Sequence, residues 1–73
     1  MAERVGGVVV WFNQSKGYGY VRGDGGDEVR VRREDLDDAT FLTEGLRVTF
    51  LVVASEEGEA RAVHVRIVAH GRG

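Results

Sequence analysis

Five short segments of this chain are rich in β-branched and aromatic residues, and in the later four alternate positions define one face. Polar or glycine-rich turns and one longer connection separate the segments. The segments span residues 5–13, 16–22, 28–32, 46–54 and 60–68. Alternation with a period of two, together with β-branched and aromatic side chains, is typical of strands that bury one face. Five such strands with closely spaced turns predict an all-β fold, a small closed or partly open barrel in which strand edges are covered.

One face of these segments supplies the predicted core. Residues 33–45 lack a clear period, and within them residues 33–38 are expected to form a single helical turn with acids near its start. We expect a single domain over residues 1–73, with a folded part at 5–68 and a flexible tail at 69–73. The predicted core residues are Val9, Val21, Val29, Val31, Leu36, Val48, Phe50, Val52, Val65 and Ile67.

Composition narrows the class of protein. The chain has 73 residues, 11 glycines and no cysteine, which excludes a disulfide framework and a thiolate metal site. No apolar run reaches the roughly 18 residues of a membrane span, and the N-terminus is not that of a secretory signal, so a cytoplasmic location is expected. His64 and His70 lack partners for a metal site, and no nucleophile–base pair is evident. We therefore predict no enzyme, no metal, no cofactor and no small-molecule substrate.

Charge is unevenly distributed along the chain. The net charge is −2, which by itself argues against a nucleic-acid binder. Residues 1–33 nevertheless hold six Lys/Arg and four Asp/Glu, whereas residues 34–73 hold four and eight. A protein of this kind presents a basic face if its acids lie elsewhere.

The aromatic residues are placed for a surface. In the second segment Tyr18 and Tyr20 fall on one side of the strand, about 7 Å apart, opposite Gly17, Gly19 and Val21. Glycine at an inward position indicates close approach of another backbone. If three strands lie side by side, one face carries Trp11, Tyr18, Tyr20, Arg30 and Arg32, with Lys16 at its edge. Rings that stack on bases and cations that meet phosphates suit single-stranded RNA or DNA.

These residues resemble the cold-shock domain family over roughly residues 6–68. The usual first RNP motif of that family, K-G-F-G-F-I/V, is similar to residues 16–21. The resemblance implies an OB-type barrel that binds single-stranded nucleic acid with little sequence preference, as an RNA chaperone or a regulator of transcription or translation. The segments that carry it are residues 7–13 (GVVVWFN), 16–21 (KGYGYV), 27–32 (DEVRVR), 42–50 (LTEGLRVTF) and 62–65 (AVHV).

The resemblance also implies contact residues. Trp11, Lys16, Tyr18 and Tyr20 match contact positions of the family. Phe12 and Asn13 match the family's sequence in the first segment, residues 7–13. Phe41 aligns loosely with an aromatic contact in the long connection, and packing within that loop is the alternative role.

The third segment departs from the family. The typical second RNP motif is V-F-V-H-F, and here Arg30, Arg32 and Arg33 occupy its three ring positions, while Val10 replaces a usual basic residue. Arginine stacks on bases and also contacts phosphates. Our hypothesis is a weaker base preference and a stronger salt dependence than in a typical member. The alternative is that the three arginines form a solvated edge, paired with Glu28, Glu34 or Asp35.

A second function class stays open at this point. A protein-interaction barrel that has lost its nucleic-acid affinity would fit the net charge and the altered third segment. The sequence does not decide between RNA and DNA, and we expect a monomer that associates with no membrane.

Overall fold

The computed structural model describes residues 4–54 and 58–68. It contains five strands and one short 3₁₀ turn at Arg33–Asp35. The predicted strands are confirmed, with ends that differ by one or two residues, and the predicted helical turn is shorter than expected. The tail at 69–73 lies outside the described residues, as does most of the acidic turn before the last strand. The strands are β1 (Arg4–Asn13), β2 (Tyr18–Gly23), β3 (Glu28–Arg32), β4 (Arg47–Ala54) and β5 (Ala60–Ile67).

The strands close into a barrel in the order β1-β2-β3-β5-β4. All neighbours are antiparallel except β3 and β5, whose parallel pairing at Arg30 and Arg61 completes the closure. The described residues contain no α-helix, and no helix among them is long and apolar enough to cross a membrane. The predicted five-stranded barrel of OB type is confirmed.

Nine hydrophobic side chains fill the barrel among the described residues, and seven of them were predicted. Leu36 and Ile67 are partly buried against this cluster, while Leu42 and Ala62 belong to it and were not predicted. The prediction for Val52 is wrong, because its side chain is 40% exposed. The described β1–β4 ladder ends at the pair Arg4–Leu51, so Val52 lies one residue beyond the part of β4 that pairs with β1. The buried set is Val9, Val21, Val29, Val31, Leu42, Val48, Phe50, Ala62 and Val65.

A bulge in β5 explains why Ala62 was missed. The register against β4 shifts by one residue between the pairs Thr49–Arg66 and Leu51–Val63, and His64 between them adopts a positive φ of 52°. The extra residue interrupts the period of two. As a result Ala62 and Val65 both face the core, whereas uninterrupted alternation would place Val63 on the side of Val65 and Ile67.

Candidate nucleic-acid interface

Strands β1, β2 and β3 lie side by side and carry the predicted aromatic and basic residues on their outer surface. The register pairs Trp11 with Tyr20, Tyr20 with Arg30, and Tyr18 with Arg32. We call this surface, made of Trp11, Tyr18, Tyr20, Arg30 and Arg32, the aromatic–basic face.

The Trp11 ring of this face contacts both tyrosine rings. The Trp11 ring centroid lies 5.5 Å from that of Tyr18, in an edge-on arrangement, and 5.7 Å from that of Tyr20, at a tilt of 52°. Edge-on and tilted pairs are the favoured geometries of aromatic contacts. The rings therefore support each other, and all three are only partly buried.

A bulge in β1 turns Trp11 outward. The register against β2 shifts by one residue between Val9 and Trp11. Without that shift, Trp11 would share the inward side of Val9, two residues before it. The bulge therefore places the indole beside the two tyrosines and keeps it out of the core.

Glycine at position 19 allows the two strands to come this close. A Cβ on Gly19 would lie 2.6 Å from Phe12 Cα, and nearer still to the Trp11 carbonyl oxygen. The predicted close approach of backbones is confirmed at Gly19. The prediction is wrong for Gly17, which lies in the turn before β2 with a φ of +76° and has only side-chain atoms of Arg33 near the position of a Cβ.

Arg30 lies against the aromatic cluster. Its Cζ is 5.5 Å from the centroid of the Tyr18 ring, a cation–π distance. Arg32 is more exposed, and its Nη1 is 3.5 Å from Glu34 Oε2. The two arginines therefore place positive charge directly beside the rings.

The turn between β1 and β2 positions Lys16 at the end of the face. The Asn13 side-chain oxygen accepts a hydrogen bond from the Lys16 backbone N–H at 2.9 Å, and the Asn13 carbonyl accepts one from the N–H of Gly17 at 2.7 Å. Asn13 thus organises the turn. Phe12 packs against the core, on the opposite side of β1 from Trp11, so the structure does not bring it to the face.

Arg33 joins this turn to the long connection that follows β3. Its Nε donates to the Thr40 carbonyl at 3.1 Å, and its Nη2 donates to the Gln14 carbonyl. The backbone N–H of Arg33 also donates to the Gly17 carbonyl at 2.8 Å. These bonds hold Phe41, which is 43% exposed, near the Lys16 turn. Binding by Arg33 and Phe41 stays a prediction.

The structure agrees only in part with the alternative in which the three arginines form a solvated edge paired with nearby acids. Arg32 pairs with Glu34 as that alternative expects. Glu28, however, pairs with Arg22 at 2.8 Å, and the side chain of Asp35 pairs with Arg61 at 3.3 Å. Among the described residues, Arg30 makes no ion pair with an acid, and its guanidinium lies over Tyr18. The charge of the face is therefore only partly neutralised by its neighbours.

A second charged cluster lies away from the face, around Asp37. Its Oδ2 accepts a hydrogen bond from Arg66 Nε at 3.1 Å, and its Oδ1 lies 3.4 Å from His64 Nδ1. The hydrogen bond from Arg66, with a smaller contribution from His64, holds the pKa of the Asp37 carboxyl below its ordinary value of 3.8. This cluster ties β5 to the connection after the 3₁₀ turn.

Comparison with known proteins agrees with this geometry. The chain is 34% identical over 70 residues to "Major cold shock protein CspA" of Pseudomonas aeruginosa, covering 93% of this chain and all of that protein. It is 38% identical to "Cold shock protein CspV" of Vibrio cholerae, over 80% of this chain and 87% of that protein. It is 40% identical to "Cold shock protein 1" of Lactiplantibacillus plantarum, over 77% of this chain and 88% of that protein. The "'Cold-shock' DNA-binding domain" family matches residues 5–68, and the chain belongs to this family.

Proposed function

We propose that this protein binds single-stranded nucleic acid through the aromatic–basic face, with little sequence preference, as a cytoplasmic monomer. The observation that carries the proposal is the cluster of Trp11, Tyr18 and Tyr20, with ring centroids 5.5 and 5.7 Å apart, beside the guanidinium of Arg30. Nucleic-acid binding of cold-shock type is the general activity of the family. The specific face, and a role in melting RNA structure, are what we add.

The chemistry of the face supports low sequence specificity. Every base has a π-face, so stacking on partly exposed rings tolerates any base, and each stack contributes about 1–3 kcal/mol. Arginine and lysine add attraction to phosphates, which is also independent of sequence. A face built from rings and cations therefore holds a single strand by its shape and charge. It cannot accept a duplex in the same way, because paired bases keep their faces covered.

Fluorescence of Trp11 tests the proposal, because this is the only tryptophan in the chain. A pyrimidine-rich hexanucleotide should quench it saturably, and more weakly as salt rises. Tyr18→Leu or Tyr20→Leu should weaken binding about 5- to 150-fold, the affinity equivalent of about 1–3 kcal/mol. The matched controls Tyr18→Phe and Tyr20→Phe keep the ring and should bind nearly as the parent protein does. Absence of quenching at oligonucleotide concentrations of tens of micromolar would reject this function in favour of a protein-interaction barrel.

The chaperone role needs a separate measurement. A hairpin RNA carrying a fluorophore and a quencher at its ends should open when the protein is added, because the face binds only the unpaired strand. The leucine variants of Tyr18 and Tyr20 should leave it closed. Opening by the parent protein and by the variants alike would contradict a role for the aromatic–basic face. Deoxyribose and ribose hexanucleotides of the same sequence, titrated in parallel, measure the preference between DNA and RNA.

A further inference from the structure

Arg30 and Arg61 lie directly opposite each other where β3 and β5 close the barrel. They are partners in the parallel ladder, and this pairing is the one that joins the two strands. Val29, Val31 and Ala62, their neighbours in sequence, are buried in the core. Successive side chains point to opposite sides of a strand, so both arginines lie on the outer surface. Arg61 thus extends the aromatic–basic face across the β3–β5 seam.

The two arginines share an unusual feature. Among the described residues, the Nε atoms of Arg30 and Arg61 are buried side-chain donors without a hydrogen-bond partner. Buried donors are nearly always paired in folded proteins. Because both Nε atoms are buried, a ligand at the seam can reach the two guanidinium groups only at their outer nitrogens.

Asp35 holds Arg61 in place from behind. Its side chain is 5% exposed, and its Oδ1 lies 3.3 Å from Arg61 Nη2. Its Oδ2 accepts a hydrogen bond from the Arg32 backbone N–H at 3.2 Å. At the seam Asp35 therefore pairs with the guanidinium of Arg61 only, and the guanidinium of Arg30 lies over the Tyr18 ring. A net positive charge is left there, with planar forks whose geometry matches phosphate.

We propose that Arg30 and Arg61 together bind one phosphodiester group of the single strand through the outer nitrogens of their guanidinium groups, and that Asp35 positions Arg61 for this contact. The inference rests on the proposed function. It adds β5 to the binding surface and makes the seam a phosphate site beside the rings that take the bases. The strand therefore runs from the rings of β1 and β2 across β3 toward β5.

Side-chain NMR of the arginine Nε–H groups tests the site directly, with signals assigned through Arg30→Lys and Arg61→Lys. Hexathymidine without terminal phosphates should shift both signals. The same hexamer with uncharged methylphosphonate linkages should leave both in place while the rings still stack. Inorganic phosphate, the free source of the same chemistry, should shift them only at concentrations far above those of the oligonucleotide. An equal response to inorganic phosphate at comparable concentrations would overturn the assignment to a bound strand.

Salt titrations of the Trp11 quenching provide the second test. Arg61→Gln should make the dependence of log K on log salt shallower, by up to about 0.7, which is the contribution of the one phosphate contact that the two arginines share. Arg30→Gln should do the same, and it leaves the Arg61–Asp35 pair intact, so a folding defect of the first variant does not decide the result. Arg66→Gln removes the same charge from β5 at its Asp37 pair and should leave the slope unchanged.

The outcomes separate this inference from the proposed function. If the parent protein quenches but neither glutamine variant at the seam changes the slope, the phosphate site is wrong and the stacking face stands. If Arg66→Gln changes the slope as much as Arg61→Gln does, the effect is one of net charge and the site is again wrong. If the parent protein does not quench at all, the proposed function itself fails.

Discussion

Gly19 and Trp11 lie on neighbouring strands with no room for a side chain between them. A Cβ on Gly19 would collide with the Trp11 carbonyl oxygen and would lie 2.6 Å from Phe12 Cα. Both obstacles are backbone atoms, which cannot turn aside as a flexible side chain does. This contact sets the spacing of β1 and β2 on which the ring cluster depends.

Gly19→Ala is expected to destabilise the protein by at least about 1–3 kcal/mol, because overpacking against backbone forces the strands apart. That is a large part of the total for a domain of this size. Urea unfolding followed by Trp11 fluorescence measures it. Gly25→Ala is the matched control, since a Cβ there meets nothing within 4 Å, and it should change stability by less than about 0.5 kcal/mol. Equal stability of the two variants would contradict the close approach.

Arg30→Phe restores the ring that the second RNP motif usually carries at this position. We expect a slope of log K against log salt that is shallower by up to about 0.7, because Arg30 no longer contributes to the phosphate contact that it shares with Arg61. We also expect binding to persist at high salt, because a new ring stacks on a base. Arg30→Gln, which loses the charge and gains no ring, should show the same slope and weaker binding at high salt. Identical binding by the two variants at every salt concentration would show that position 30 does not touch the strand.

Arg33→Ala should lower stability more than Arg32→Ala does. Arg33 donates side-chain hydrogen bonds to the carbonyls of Gln14 and Thr40, and each such bond contributes about 0.5–1.5 kcal/mol net. Arg32 makes one exposed ion pair with Glu34, worth about 0–1 kcal/mol. Urea unfolding of the two variants, which lose the same charge, gives the comparison. A loss of stability as large for Arg32→Ala as for Arg33→Ala would contradict the structural role of Arg33.

His64→Val should destabilise the protein by about 1–2 kcal/mol, because a β-branched residue is strained in the left-handed region. His64 has a φ of 52° at the β5 bulge. Asparagine tolerates this conformation, so His64→Asn should stay within about 0.5 kcal/mol of the parent protein. Asparagine is also the usual family residue in the A-x-N-V motif, which residues 62–65 resemble. Thermal unfolding of both variants tests the expectation, and a stable valine variant would count against the bulge.

Asp37 should make a pH-dependent contribution to stability. Because its pKa is lower in the folded protein than in the unfolded chain, the contribution is present above the ordinary value of 3.8 and is lost as pH falls through the folded pKa. Asp37→Asn should therefore be less stable than the parent protein near neutral pH and should approach it at acid pH. Urea unfolding at several pH values measures the difference. A difference that stays constant down to pH values below the ordinary pKa would contradict the ion pair with Arg66.

The local pattern of residues along each strand accounts for most of the predictions that the structure confirms. A period of two places alternate residues on opposite sides of a strand whatever the rest of the fold does, so the sides of Tyr18, Tyr20, Val29 and Val31 follow from the sequence alone. Closely spaced turns and short strands likewise determine that the chain is all β. The two-residue spacing of the tyrosines, with Gly19 between them, carries the ring platform for the same reason.

The features that could not be predicted occur where the period of two is interrupted or where distant strands pair. The bulges at Val10 and His64 each add one residue to a strand, and they turn Trp11 outward and Ala62 inward. Whether a strand bulges depends on the strand with which it pairs. The exposure of Val52 depends on its place at the end of the described β1–β4 ladder, beyond the pair Arg4–Leu51. The pairing of Arg30 with Arg61 depends on barrel closure between strands far apart in sequence. The strands, their faces and the chemistry of the rings could be predicted from the sequence, because these depend on local geometry. The register between distant strands could not be predicted, because it depends on packing of the whole barrel.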